Sequence, residues 1–160
     1  MSDLDEIAAK VAARLIARKE TIAVAESSAG GLVSAALLAV PGASAYFLGG
    51  AVVYTARARA GLVNITRDEM EGLRSSSEPY AQLLAEKTRG LLRADWGLAE
   101  TGAAGPTGNS YGDAAGHTCV AVSGPAKDVR TIETGASDRA DNMRVFATAA
   151  LSLLLDHLER

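Results

Sequence analysis

Apolar residues recur at helical spacing from the start of the chain: Leu4, Ile7, Ala8, Val11, Leu15 and Ile16 share one face. Ser2, with Asp5 three residues on, has the form of a capping box, so the spacing predicts an amphipathic helix over 3–18. Thr21 to Ala25 is a short apolar run and reads as a buried strand. Residues 29–40 return to the helical pattern and are stopped by Pro41-Gly42. Leu48 to Tyr54 reads as a second strand and Arg57 to Val63 as a short helix. Thr66, with Asp68 and Glu69 behind it, is expected to cap another helix. Ser77-Glu78-Pro79 predicts a helix start, with the helix running to about Leu92.

Trp96 to Glu100 is a third strand, and it enters the longest glycine-rich stretch of the chain, Thr101 to Ser110. Two further strands follow, at about 116–123 and 128–134. Their short connection, Ser123 to Lys127, makes them an antiparallel hairpin. A long helix from about Asp138 to Leu158 closes the pattern, with Phe146, Ala150, Leu153, Leu154 and Leu158 facing inward. Alternating helices and strands of this kind predict one α/β domain over residues 1–160. Its sheet is mixed and mostly parallel, has about five strands, and carries helices on both faces in three α/β/α layers.

Composition removes several function classes. A net charge of −3 gives no basic face for nucleic acid. Cys119 is the single cysteine, which leaves no disulfide framework and no cysteine-based zinc site, and its strand context reads as buried and inert. His117 and His157 have no acidic or histidine partner at ligand spacing, so no metal and no cofactor are expected. The amphipathic start is unlike a signal peptide, and no apolar run approaches membrane-spanning length. A cytoplasmic protein is expected, with a small molecule rather than nucleic acid or membrane as its partner.

Candidate chemistry concentrates where strands end in glycines. Ala25-Glu26-Ser27-Ser28-Ala29-Gly30-Gly31 places two hydroxyls at the junction of a strand and a helix, beside N–H donors that favour negative charge. A nucleophile with an oxyanion hole fits that position, and so does a bound phosphate. The simpler reading is that Ser27 or Ser28 is the helix N-cap. Neither this turn nor Thr101 to Ser110 matches a dinucleotide or nucleoside-triphosphate fingerprint, and no Gly-x-Ser-x-Gly elbow is present. Tyr54, Arg57, Arg59, Arg139 and Arg144 lie near the same ends of the elements. Each is either an anion ligand or a solvated surface group.

These motifs, taken in order, resemble the C-terminal domain of the competence/damage-inducible protein CinA, whose stand-alone members are nicotinamide mononucleotide deamidases. Ala25 to Gly31 is similar to the family's A-E-S-C-T-G-G, and Thr101-Gly102-Ala103-Ala104-Gly105-Pro106 to its T-G-I-A-G-P. Val40 to Phe47, Gly50 to Thr55, Ser76 to Pro79, Gly116 and Asp138-Arg139 with Arg144 continue the match. The resemblance implies a homodimer and amide hydrolysis by a serine–lysine dyad, releasing ammonia and leaving nicotinate mononucleotide. It assigns Ser27 as nucleophile, with Tyr54 and Arg59 as further catalytic positions. Glu26, Ser28, Gly30, Gly31, Thr101, Gly102, Ala104 and Gly105 would form the substrate site, with Arg144 on the phosphate.

One position departs from the family. Its lysine closes a Y-S-N-x-A-K motif, and this chain reads Tyr54-Thr55-Ala56-Arg57-Ala58-Arg59 without a gap. Arginine stays protonated and cannot act as the same base. The four lysines, Lys10, Lys19, Lys87 and Lys127, lie elsewhere in the sequence. Three readings follow. The protein is a deamidase that activates Ser27 by another route, through Tyr54 or His117. Or it is an amidase for a different small substrate, with a pocket altered at Ser28, Ala29, Ala56 and Asn109. Or it is a non-catalytic relative in which Arg59 grips an anion. Longer family members carry an N-terminal domain, and activity belonging to that domain is not expected of this sequence.

Overall fold

A computed structural model describes residues 2–160. The first helix, α1 (Asp3–Arg18), begins on the expected capping box: Ser2 Oγ accepts from the Asp5 N–H while Asp5 accepts back from the Ser2 N–H. Then come β1 (Ile22–Glu26), α2 (Leu32–Leu38), a single 3₁₀ turn, β2 (Phe47–Val52), α3 (Ala56–Val63) and α4 (Glu78–Leu92). The second half holds β3 (Trp96–Ala103), β4 (His117–Ser123), β5 (Asp128–Glu133) and α5 (Arg139–Leu158). The strands form one sheet in the order β2-β1-β3-β4-β5. β1 pairs in parallel with β2 and β3, whereas β4 runs antiparallel to both β3 and β5.

Alternation along the strands builds two unlike faces. Ile22, Val24, Trp96, Leu98, Val120 and Val122 point to the layer of α1, α2 and α5, where the larger core gathers around Leu15, Phe146, Leu151 and Leu154. The opposite face carries Ala25, Ala99, Cys119 and Ala121 against Tyr80, Ala81, Leu84 and Ala85 of α4. Small residues let α4 come very close. A Cβ on Gly97 would lie 2.2 Å from the Ala85 carbonyl oxygen. This close packing of one helix on the sheet accounts for a chain rich in alanine and poor in aromatics.

Three boundaries differ from expectation. The second helix starts at Leu32 rather than residue 29, because Gly30 (φ +69°) and Gly31 (φ +101°) hold left-handed backbone ahead of it. Thr66 and Glu69 do exchange capping bonds, but the backbone continues as turns to Gly72 (φ +77°) and no helix forms. The third strand runs on through Ala103, since Thr101, Gly102 and Ala103 pair with Cys119, Thr118 and His117. The glycine-rich segment therefore begins as sheet.

Candidate functional site

The turn after β1 is organised by two buried carboxylates. Glu26, 1% exposed, ends β1 and turns back over the start of α2, accepting N–H bonds from Gly31 (3.1 Å), Val33 (2.9 Å) and Ser34 (2.9 Å). Glu100, also 1% exposed, reaches across from β3. Its Oε1 accepts from the N–H groups of Ser27 (3.1 Å) and Ala29 (2.7 Å), and its Oε2 from the hydroxyls of Ser28 and Thr118. Burial pushes the Glu100 carboxyl up from the usual carboxylate range, against the pull of these four donors. The helix start is thus capped by Glu26, with Gly31 as N-cap and no serine in that role.

From Ser27 to Ser34, one backbone N–H finds no acceptor among the described residues, that of Ser28. Its neighbours are taken by Glu100, by Glu26, or by the Ser27 and Ala29 carbonyls. Ser27 itself, half-buried, faces a cleft of about 260 Å³ at the carboxyl ends of β1 and β3. Such crevices are where open α/β sheets bind ligands. Hydroxyls dominate the cleft wall: Ser27, Thr55, Ser75, Ser76 and Thr101, with Tyr54, Tyr80 and Tyr111. Gly102 completes the β3 side, and Arg59 is the one charged residue lining the cleft. No lysine, histidine or carboxylate lines it.

Each cleft tyrosine has an arginine beside it. Arg59, on α3, lies 5.3 Å over the Tyr80 ring and donates to Ser75 Oγ at 2.9 Å. Arg74 lies 5.2 Å over Tyr111 and is tied to Asp113 at 2.7 Å. Arg139, from the first turn of α5, donates to the Tyr54 hydroxyl at 3.1 Å and to the Gly105 carbonyl. Burial raises the Tyr80 phenol above its ordinary pKa while Arg59 pulls the other way, so Tyr80 stays protonated at neutral pH.

His117 stands behind this wall. Its Nε2 donates to the Ser76 carbonyl at 2.7 Å and its Nδ1 to Glu133 at 2.5 Å. The Ser76 carbonyl and an ionised Glu133 both accept, an arrangement that favours the protonated ring. Burial opposes that charge, but Glu133, the Ser76 carbonyl and the Asp113 carboxylate outweigh it and raise the pKa above the ordinary 6.5. Both ring nitrogens are engaged and the residue does not line the cleft, so the ring is not placed to serve Ser27 as a base. It instead holds Ser76, whose left-handed backbone (φ +59°) is also fixed by an N–H bond to Thr101 Oγ1. The stability this provides is complete below pH 6.5 and lost as pH rises through the higher folded-state value. Melting curves from pH 6 to 9 should show a steeper decline in the wild type than in His117→Gln. Parallel curves for the two proteins would contradict the assignment.

Of the residues singled out from sequence, the structure brings Ser27, Tyr54, Arg59, Thr101 and Gly102 to one cleft. Glu26 is buried and fully engaged with the chain, and the buried Ser28 hydroxyl is given to Glu100, so of these two residues only the Ser28 backbone N–H is left for a ligand. Gly31 gives its N–H to Glu26, and Gly30 packs on α5, where a Cβ would fall 2.7 Å from Met143 Cε. Ala104 and Gly105 are buried, their carbonyls accepting from Asn142 and Arg139. Asn109 braces its own loop through Asp113.

Arg144, expected on the phosphate, does not line the Ser27 cleft. It pairs with Asp141 at 3.6 Å and borders a groove with Ser2 and Leu4. Five residues along a helix turn a side chain by about 140°, and it is Arg139 rather than Arg144 that bonds a residue of the cleft lining, Tyr54. Glu100 was also missed. Its signal is a lone carboxylate that directly follows the apolar run Trp96 to Ala99 within the predicted strand. Among the described residues, no group of three His, Cys, Asp or Glu side chains converges to hold a metal ion. No described helix is long and apolar enough to cross a membrane.

A family model, the CinA C-terminal domain, matches residues 4–158. A CinA-like protein of Gloeobacter violaceus is 38% identical over 156 residues, covering 96% of this chain and 36% of that protein. One from Prochlorococcus marinus is 41% identical over 124 residues, covering 78% and 29%. The chain therefore spans well under half the length of these curated relatives. Among solved structures, the competence damage-inducible protein A of Klebsiella pneumoniae superposes with a TM-score of 0.92 at 27% identity, over 99% of each chain.

Proposed function

Because this chain belongs to the CinA C-terminal domain family, we propose that its cleft is an amidohydrolase site for a pyridine mononucleotide. It would convert nicotinamide mononucleotide to nicotinate mononucleotide and ammonia, with Ser27 as the nucleophile. The observation that carries this reading is the placing of Ser27 in the cleft beside the unclaimed N–H of Ser28. An N–H one residue after a nucleophile is well set to hold the oxyanion formed when Oγ attacks a carbonyl carbon. The carbon–nitrogen bond then breaks, ammonia leaves, and water releases the acid from Ser27. Thr101 and Gly102 would border the carboxamide, and Arg139 would meet the phosphate beside Tyr54. The reading also takes the chain as a single domain, working as a cytoplasmic homodimer.

A second reading has its own observation. No group lining the cleft can take the Ser27 proton at neutral pH: Arg59 stays charged, and the remaining polar groups are hydroxyls. On that reading the site binds its ligand without turning it over.

Ammonia release from nicotinamide mononucleotide separates the two. The amidase reading expects turnover in the wild type and a loss on the order of 10³-fold or more in Ser27→Ala. The binding reading expects a silent wild type with activity appearing in Arg59→Lys. Turnover surviving in Ser27→Ala removes Ser27 as nucleophile.

A further inference from the structure

The cleft holds no carboxylate, yet two guanidinium groups address it. Arg59 lies half-buried along its wall, one N–H given to Ser75 and its face laid on Tyr80. Arg139 lies behind Tyr54 of the cleft lining, its N–H groups on the Tyr54 hydroxyl and the Gly105 carbonyl. Neither forms an ion pair with any carboxylate among the described residues. A guanidinium has five donors, so both retain N–H groups for a ligand. The half-exposed rings of Tyr54 and Tyr111 also border this space, in a chain with only four tyrosines.

An amide and an acid meet Arg59 differently. A carboxamide offers one acceptor oxygen and sets its NH₂ against the remaining donors, leaving the charge unmatched. A carboxylate offers two coplanar acceptors and neutralises the charge, the geometry a guanidinium fork fits best. We infer that this cleft selects the acid over the amide: its preferred occupant is a planar aromatic carboxylate bearing a second anionic group, the carboxylate on Arg59 and the other anion on Arg139. The inference rests on the pyridine mononucleotide reading for the ring and phosphate, which makes nicotinate mononucleotide the favoured form. The discrimination itself rests on Arg59. In a hydrolase this preference means that product is held more tightly than substrate. In a binding protein it makes the acid the ligand that is sensed.

Calorimetric titration with nicotinate and nicotinamide mononucleotides, together with ligand-observed NMR using benzoate and benzamide, tests it in the wild type, Arg59→Lys and Arg59→Gln. The acid is expected to bind about tenfold or more tightly than the amide in the wild type. Arg59→Gln should abolish the difference and Arg59→Lys should keep part of it, with melting curves confirming that both variants fold. Equal affinity or a preference for the amide in the wild type overturns the inference, as does discrimination that persists in a folded Arg59→Gln. If neither mononucleotide binds while benzoate is preferred to benzamide, the mononucleotide reading fails and the acid selectivity stands. If none of the four binds, both fall.

Discussion

Glu26→Gln is expected to destabilise the protein by about 3 kcal/mol although it changes only one atom, since a buried N–H left without an acceptor costs about 1–3 kcal/mol. Glu26 Oε1 accepts from Gly31 and Val33, and Oε2 from Ser34. A glutamine keeps one acceptor oxygen. Whichever way the amide is turned, its NH₂ confronts a backbone N–H that cannot reverse its role. The start of α2 then keeps only part of its one side-chain cap, because Gly31 supplies none. For a chain of this size the loss corresponds to roughly 6–12 °C in melting temperature. Urea unfolding of the two proteins checks it, and a difference within about 0.5 kcal/mol would show that α2 does not depend on this carboxylate.

The same substitution at Glu100 should behave quite differently. Here Oε1 faces two backbone N–H groups, while Oε2 faces the hydroxyls of Ser28 and Thr118. Hydroxyls can accept as well as donate. Glutamine can therefore leave its oxygen on Ser27 and Ala29 and give its NH₂ to the hydroxyls. Burial raises the Glu100 carboxyl, so a neutral group of the same shape also escapes the cost of a buried charge. Glu100→Gln should cost no more than about 1 kcal/mol, while Glu100→Ala, which strips acceptors from four buried or half-buried donors, should cost about 4 kcal/mol or more. Ligand binding should disappear with the alanine variant, whose Ser27 turn has lost its anchor. Equal damage from both changes would mean that the Ser28 and Thr118 hydroxyls cannot invert.

Much of the fold was legible because local signals agreed with the period. Ser2 with Asp5 set the start of α1, Ser77-Glu78-Pro79 set that of α4, and the short link after Ser123 set the hairpin. Failures came where tertiary contacts decide. Thr66 offers the right cap, but Gly72 bends the chain before a helix can form. β3 continues through glycine because β4 provides a partner. At the site, spacing located the Ser27 turn and the Tyr54 to Arg59 segment, and the sheet joined them. Which side chain satisfies which donor could not be read from spacing. Serines that looked like caps proved subordinate to two glutamates, one of them unnoticed because it lies 73 residues from the turn it holds.

The two glutamates also bear on how such a site can change. With every donor but the Ser28 N–H answered from within, the Ser27 turn needs no visiting anion to keep its shape. On the proposed reading, attraction for the ligand's anionic groups falls to Arg59 on α3 and Arg139 on α5, outside that turn. A single exchange at position 59 can therefore alter what the cleft prefers while the scaffold beneath it stays intact. Specificity here is free to drift at little risk to folding, so relatives with superimposable backbones need not share a ligand.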